Sequence, residues 1–354
     1  MFESKPFRGT PEELSEFVID TWKSIYAGTM SVPHWSGDYF RWQLRLDEPN
    51  AEQRMVCAYE GEKLAGAMLH FPMRFQIHGE IIEASQASWL SVPVAFRGKG
   101  VANFLSESTR QLLREQGRQF KLGFGYFGSN KSLGLKFWKK AQGKSVSFGK
   151  RVGFWARVLD PAKAAAWNVN TWEGRLTKLS SPLLKLPKLH ESPGVLIRPI
   201  QLADVPRCVE LAELATQHCD LRLIWDEEHL SRQLGLKGFS HALVAEERGE
   251  VRGCIGYHVL PICGKTLENI GVIDLVFMSE LSAVARRELL NAALHQLREQ
   301  KSVVALKLRT GDYPKGTFLR WGWFCKPPDS QILMTWANEP RQIPPLNHLH
   351  VLWR

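Results

Sequence analysis

Apolar positions near the start of the chain recur at helical spacing: Leu14, Phe17, Val18, Trp22 and Ile25 share one face. Thr10 can cap this helix, Pro11 suits its first position and Glu13 completes a capping box. The period then shortens, and residues 54–59, 64–75 and 81–92 read as three strands. Leu90 and Val92 close the third of these at strand period. After Gly98 and Gly100 the pattern turns helical again through Val101, Leu105 and Leu112, with Phe104 and Leu113 widening the stripe. A strand at 119–126 and a helix carrying Leu133, Phe137 and Trp138 follow.

The same order returns after residue 194. Residues 195–199 read as a strand, and Asp204 can cap a helix bearing Val205, Cys208, Val209 and Ala212. Strands at 241–246, 251–260 and 266–278, a helix at 282–299 and a strand at 303–308 complete the repeat. The expected organisation is two similar α/β units, 1–158 and 195–354. The linker between them, 159–194, holds a helix-prone stretch at 162–167 and is then interrupted by Pro182, Pro187 and Pro193.

Chemistry concentrates at the turn between Val92 and Val101. Gly98 and Gly100 let the backbone turn tightly and approach a ligand with no Cβ in the way. The helix that starts at once presents free N–H groups and the positive end of its dipole, and Arg97 and Lys99 add full charges. This is a site for phosphate. Neither the G-x-G-x-x-G string of dinucleotide-binding folds nor the G-x-x-x-x-G-K-[ST] string of P-loops is present.

The run Arg97-Gly98-Lys99-Gly100-Val101-Ala102 resembles the R-x-x-G-x-G/A signature of the GNAT superfamily of N-acetyltransferases. The resemblance implies an α/β fold of two GNAT-like mixed-sheet domains in tandem, with acetyl-CoA as co-substrate and its pyrophosphate on those six residues. It further implies that the Leu90 N–H receives the oxyanion, that Val92 pairs with the pantetheine arm, and that Asn130 helps bind the cofactor. Phe137, seven positions after Asn130, would lie beside the sulfur. Many members place a tyrosine where this chain has Phe137, so Tyr126 is the candidate acid. Glu83, the only acidic residue between Ile81 and Ala102, is the candidate base; it shares a face with Leu90 only if a β-bulge intervenes. Aligning residues 297–300 with 113–116 sets the glycine cradle against 281–286, which contains no glycine. The second unit is therefore expected to be a degenerate copy.

Composition adds limits. The chain has 354 residues, 44% of them hydrophobic, and 13 tryptophans, which indicates filled cores rather than disorder. Six cysteines form no C-x-x-C pair and no metal-spaced set with histidine, so buried free thiols in a reducing cytoplasm are expected, with no metal. No run approaches the roughly 18 apolar residues of a membrane span. The formal charge of +10 points to an anionic partner, with Lys131, Lys136, Lys139, Lys140, Lys144, Lys150 and Arg151 grouped after the cofactor strand. Phosphates of CoA account for part of this charge; nucleic acid is the less favoured partner. For the acceptor, residues 34–42 offer aromatic rings and Asp38 for an amine, or else an amphipathic helix burying Phe40 and Trp42. The expected activity is N-acetyl transfer to a small primary amine. Acyl or aminoacyl transfer to peptide or cell-envelope amines, and an inactive CoA-binding regulatory module, are the alternatives.

Overall fold

The computed structural model describes residues 1–127, 133–180, 184, 186–190, 192–236 and 238–354. It divides into two compact units: Met1–Val152 with Pro328–Asn347 and Arg354, and Gly153–Pro327 with His348–Trp353.

The first unit contains strands β1 (Glu3–Lys5), β2 (Val32–Pro33), β3 (Met55–Glu60), β4 (Lys63–Ile77), β5 (Glu80–Ser91), β6 (Phe120–Tyr126) and the first seven residues of β7 (Val146–Val158). Its helices are α1 (Pro11–Tyr26), α2 (Gly37–Leu44), α3 (Val101–Glu115) and α4 (Leu133–Ala141). The capping box forms at α1, where Thr10 accepts from the Glu13 amide and Glu13 accepts from the Thr10 amide at 2.7 Å. Neighbours in the sheet pair antiparallel except β5 and β6, which are parallel. One core lies where Val101 and Leu105 of α3 and Trp138 of α4 cover Met68, Ala58 and Leu333. Gly66 permits that approach, since a Cβ there would meet Val101 Cγ1 at 2.8 Å.

The second unit contains the rest of β7, helices α5 (Pro161–Trp167) and α6 (Thr171–Ser180), then β8 (Val195–Pro199), α7 (Val205–Thr216), β9 (Leu221–Leu223) and α8 (Glu227–Gln233). It continues with β10 (His241–Glu247), β11 (Glu250–Cys263), β12 (Leu267–Phe277), α9 (Ala283–Glu299), β13 (Ser302–Arg309), α10 (Lys315–Arg320) and β14 (Phe324–Cys325). The series β10-β11-β12-α9-β13 repeats β3-β4-β5-α3-β6, again with one parallel pair, β12 with β13. Helix α6 falls in the stretch expected to be linker.

The next strand, β15 (Ser330–Trp336), belongs to the first unit, and β16 (Leu349–His350) returns to the second. This corrects the expected domain 195–354. β15 lies between β6 and the first part of β7, with Ser330 opposite Tyr126 and Trp336 opposite Phe120. Without it, β6 would present an unpaired edge in the middle of the unit. The cysteines are all free, but only Cys57, Cys208 and Cys254 are buried; Cys325 is exposed. Among the described residues no helix is long and apolar enough to cross a membrane.

Candidate functional site: the cleft between β5 and β6

Strands β5 and β6 pair only at Ser85–Lys121 and Gln86–Leu122. Beyond that point they diverge. At the start of the divergence Gly123 lets β6 pass close to β5, since a Cβ there would stand 3.0 Å from the Ala87 carbonyl oxygen. The wedge holds a cavity of about 90 Å³, lined on β5 by Ala87–Leu90, on β6 by Lys121 and Gly123–Tyr126, and closed by Trp22, Tyr26, Met68 and Trp138.

A β-bulge shapes one wall. Ala67 stands opposite Ser91 and Leu69 opposite Ser88, so the ladder with β4 skips both Trp89 and Leu90. The parallel ladder with β6 has already ended, which leaves the Leu90 backbone outside both ladders. Trp89 adopts φ +59°, a left-handed conformation rare for a bulky residue. Packing holds it there: its buried ring lies 5.5 Å from Phe40, 6.1 Å from Tyr39 and 6.3 Å from Trp35, edge-on to each. The segment 34–42 is thus largely a foundation for the bulge. Asp38 is exposed and paired with Arg41 at 2.7 Å, away from the cavity.

In the turn that leads from β5 into α3, Gly98 and Gly100 take φ +76° and +87°. A Cβ at either would meet nothing within 4 Å, so backbone conformation, and not crowding, requires glycine. Gly100 is the N-cap of α3 and makes no side-chain cap bond, leaving the first-turn amides open. Arg97 Nε donates to the Val92 carbonyl at 3.1 Å, while its buried Nη2 makes no bond to a described residue. Lys99 sits over the Phe96 ring at 5.3 Å, Val101 is buried beneath the turn and Ala102 is half-buried.

The second unit shows what closes such a site. β12 and β13 stay paired from Asn269–Ser302 to Ile273–Lys307. At the start of α9, Ser282 caps the Ala285 amide and its own N–H donates to Glu247 at 2.9 Å; hydrogen bonds from the Ser282 hydroxyl and then its N–H hold that carboxylate's pKa below its usual value. The place an anion would take is filled by the protein's own side chains.

The expected site residues therefore divide. Leu90 and Tyr126 line the cavity, whereas Arg97, Gly98, Lys99 and Gly100 belong to the turn that follows β5 and do not line it. Phe137 does not line it; the neighbouring Trp138 does, because helical spacing swings the next residue inward. Asn130 lies outside the described residues. Glu83 is exposed, 3.9 Å from Arg118 and outside the cavity, because the bulge at Trp89 begins too late along β5 to bring it there. We expect Glu83→Gln to retain full activity; a loss of turnover with intact cofactor binding would restore its candidacy as base.

Two cavity residues escaped sequence reasoning. Tyr26 offers a second phenol, its pKa raised by burial. Lys121, a single cation inside an apolar strand, is buried, and burial lowers its pKa from 10.5 to about 7, with Arg110 adding to the effect. Between these values the unfolded chain holds the extra proton, so Lys121 makes stability rise with pH from about 7 to 10.5. Denaturant melts across that range should show Lys121→Met removing this part of the slope; identical slopes in the two proteins would refute the depressed pKa.

Comparison with known proteins places this geometry. Residues 7–132 match the acetyltransferase (GNAT) domain family. No curated protein gives a significant sequence match. Among solved structures, N-myristoyltransferase of Saccharomyces cerevisiae with bound myristoyl-CoA superposes with a TM-score of 0.71 at 15% identity, covering 96% of this chain and 84% of that one. A GCN5-related N-acetyltransferase from Anabaena variabilis gives 0.54 at 13% identity over 94% of this chain and 72% of its own, and one from Kribbella flavida 0.54 at 14% over 96% and 72%.

Proposed function

From a chain that carries a GNAT acyltransferase domain and folds as two tandem GNAT-like halves, we propose an N-acyltransferase that moves the acyl group of acyl-CoA to a primary amine. Acetyl-CoA and a small-molecule amine are the first donor and acceptor to test. The observation that carries this reading is the wedge between β5 and β6, with the bulged Leu90 on its wall and the glycine-capped start of α3 in the turn that follows β5. CoA pyrophosphate lies on the Gly98–Gly100 turn, with Arg97 and Lys99 supplying charge. Val101 and Ala102 contribute the first amides of α3, and Val92 flanks the pantetheine arm.

The donor thioester then sits between the strands. A neutral amine attacks its carbonyl carbon, the C–N bond forms, and the Leu90 N–H stabilises the oxygen that becomes negative. Collapse breaks the C–S bond. Tyr126 gives its proton to the departing sulfur and regains one from solvent, while the ammonium nitrogen of the product loses its proton to water. A thiol pKa near 8.5 makes the leaving group undemanding.

Calorimetry with acetyl-CoA, followed by release of free thiol across an amine panel, tests the reading. Absence of CoA binding would overturn it, and binding without turnover on any amine would favour a regulatory module. Tyr126→Phe should lower kcat about 10-fold with KM for the donor unchanged; an unaltered kcat would move the acid role elsewhere. A second reading, transfer to a peptide amine, draws on the likeness of 96% of the chain to N-myristoyltransferase. Peptides with free N-termini belong in the same panel.

A further inference from the structure

Lys121 occupies the narrow end of the wedge. It stands on β6 opposite Ser85, in the two-residue stretch that pairs with β5 and one residue before the strands part, and it lines the cavity that opens there. Its side chain is 3% exposed, reaches toward Met68 Sδ and lies 5.7 Å over the Trp138 ring. None of the described acidic residues pairs with it. The charged group that acts on it is Arg110, and His70 on β4 is kept neutral by burial. A second buried lysine in this chain shows the usual alternative: Lys307 donates to Asp312 at 2.6 Å.

A buried amine without a counter-ion is costly unless something arrives to pair with it. The direction of arrival follows from the site. CoA phosphates held at the Gly98–Gly100 turn send the pantetheine arm inward from the wide end, with the acyl group leading toward the narrow one. Lys121 also lies on the α3 and α4 side of the sheet, with Met68 and Trp138, whereas Trp22, Trp35 and Trp89 pack on the opposite side against α1 and α2. It faces the donor's acyl chain and is set back from an acceptor approaching over α1.

We propose that Lys121 selects a donor whose acyl chain ends in a carboxylate, a short dicarboxylic acyl-CoA, by pairing with that carboxylate inside the cavity. This rests on the acyl-CoA reading of the site and specifies its donor. The pairing supplies the missing counter-ion, and the surrounding Met68, Trp138 and Leu333 exclude water from it.

Calorimetry at pH 7 with acetyl-CoA, malonyl-CoA and succinyl-CoA tests the assignment on the whole chain and on Lys121→Met, which keeps the side-chain length and removes the charge. One of the dicarboxylic donors should bind wild type at least about 10-fold tighter than acetyl-CoA. Lys121→Met should lose that preference, the dicarboxylic donors then binding no tighter than acetyl-CoA. Equal affinities in wild type, or a preference that survives in Lys121→Met, would overturn the proposal while leaving the acyl-CoA site in place. If no CoA thioester binds wild type, both readings fall. Loss of acetyl-CoA turnover in Lys121→Met, with wild type itself binding all three donors alike, would assign the amine to proton transfer and overturn donor selection.

Discussion

Replacing Gly100 with glutamate should weaken CoA binding about 100-fold while leaving the protein folded. Two effects combine at this position. A Cβ at φ +87° costs about 1–2 kcal/mol, and the turn either bears that strain or shifts its amides away from the phosphates. The carboxylate then stands at the α3 N-terminus in the place of the ligand, where repulsion from a phosphate adds another one or two kcal/mol at a surface dielectric. Together these approach about 3 kcal/mol, or two decades in dissociation constant. Open space around Gly100 means that the side chain itself displaces nothing. Calorimetry with CoA checks the result, and an unchanged affinity would remove the phosphate cradle from the site. The corresponding change in α9, Ser282→Glu, should leave CoA affinity untouched, because Glu247 already occupies that helix start.

Trp89→Ala should be the most damaging single change to the cleft. Truncating a ring this deeply buried costs about 3–5 kcal/mol, since Trp35, Tyr39 and Phe40 cannot collapse fully into the space. The same ring clamps the left-handed backbone that holds Leu90 out of both ladders, so turnover should fall with stability. Denaturant unfolding measures the first effect, and turnover at a temperature where the variant remains folded measures the second. Trp89→Phe retains a ring and should recover most of both. A Trp89→Ala protein with near-native kcat would show that the bulge persists without its clamp and that the Leu90 N–H is positioned by something else.

Much of the cleft was legible before any coordinates. Gly98 and Gly100 announce positive φ because no other residue adopts it so readily, and Val101, Leu105 and Leu113 announce the helix that follows. The absence of glycine at 281–286 correctly marked the second unit as a copy with a different helix start. What it could not reveal was the replacement, Glu247, which reaches from the end of β10 to accept from the Ser282 amide. Glu83 was misplaced for a related reason. Strand parity assigns it to a face only once the bulge is located, and the bulge depends on an aromatic cluster assembled from α2 and from the segment before it. Lys121 carries no motif at all. Its meaning comes from burial, from Met68 two strands away and from Trp138 on α4.

Local chemistry along the chain was enough for the repeated α/β order, the capped α1, the positive-φ glycine turn and its absence from the second unit, because each depends on backbone preference and side-chain period over a few neighbouring residues. Long-range pairing decided the rest. A strand's alternation says which face is buried but not which edge it joins, so β15 passed as part of the second unit until its partners β6 and β7 placed it in the first. The width of the wedge, the strained Trp89 and the uncompensated charge of Lys121 arise in the same way, from groups far apart in sequence that meet only when the sheet forms.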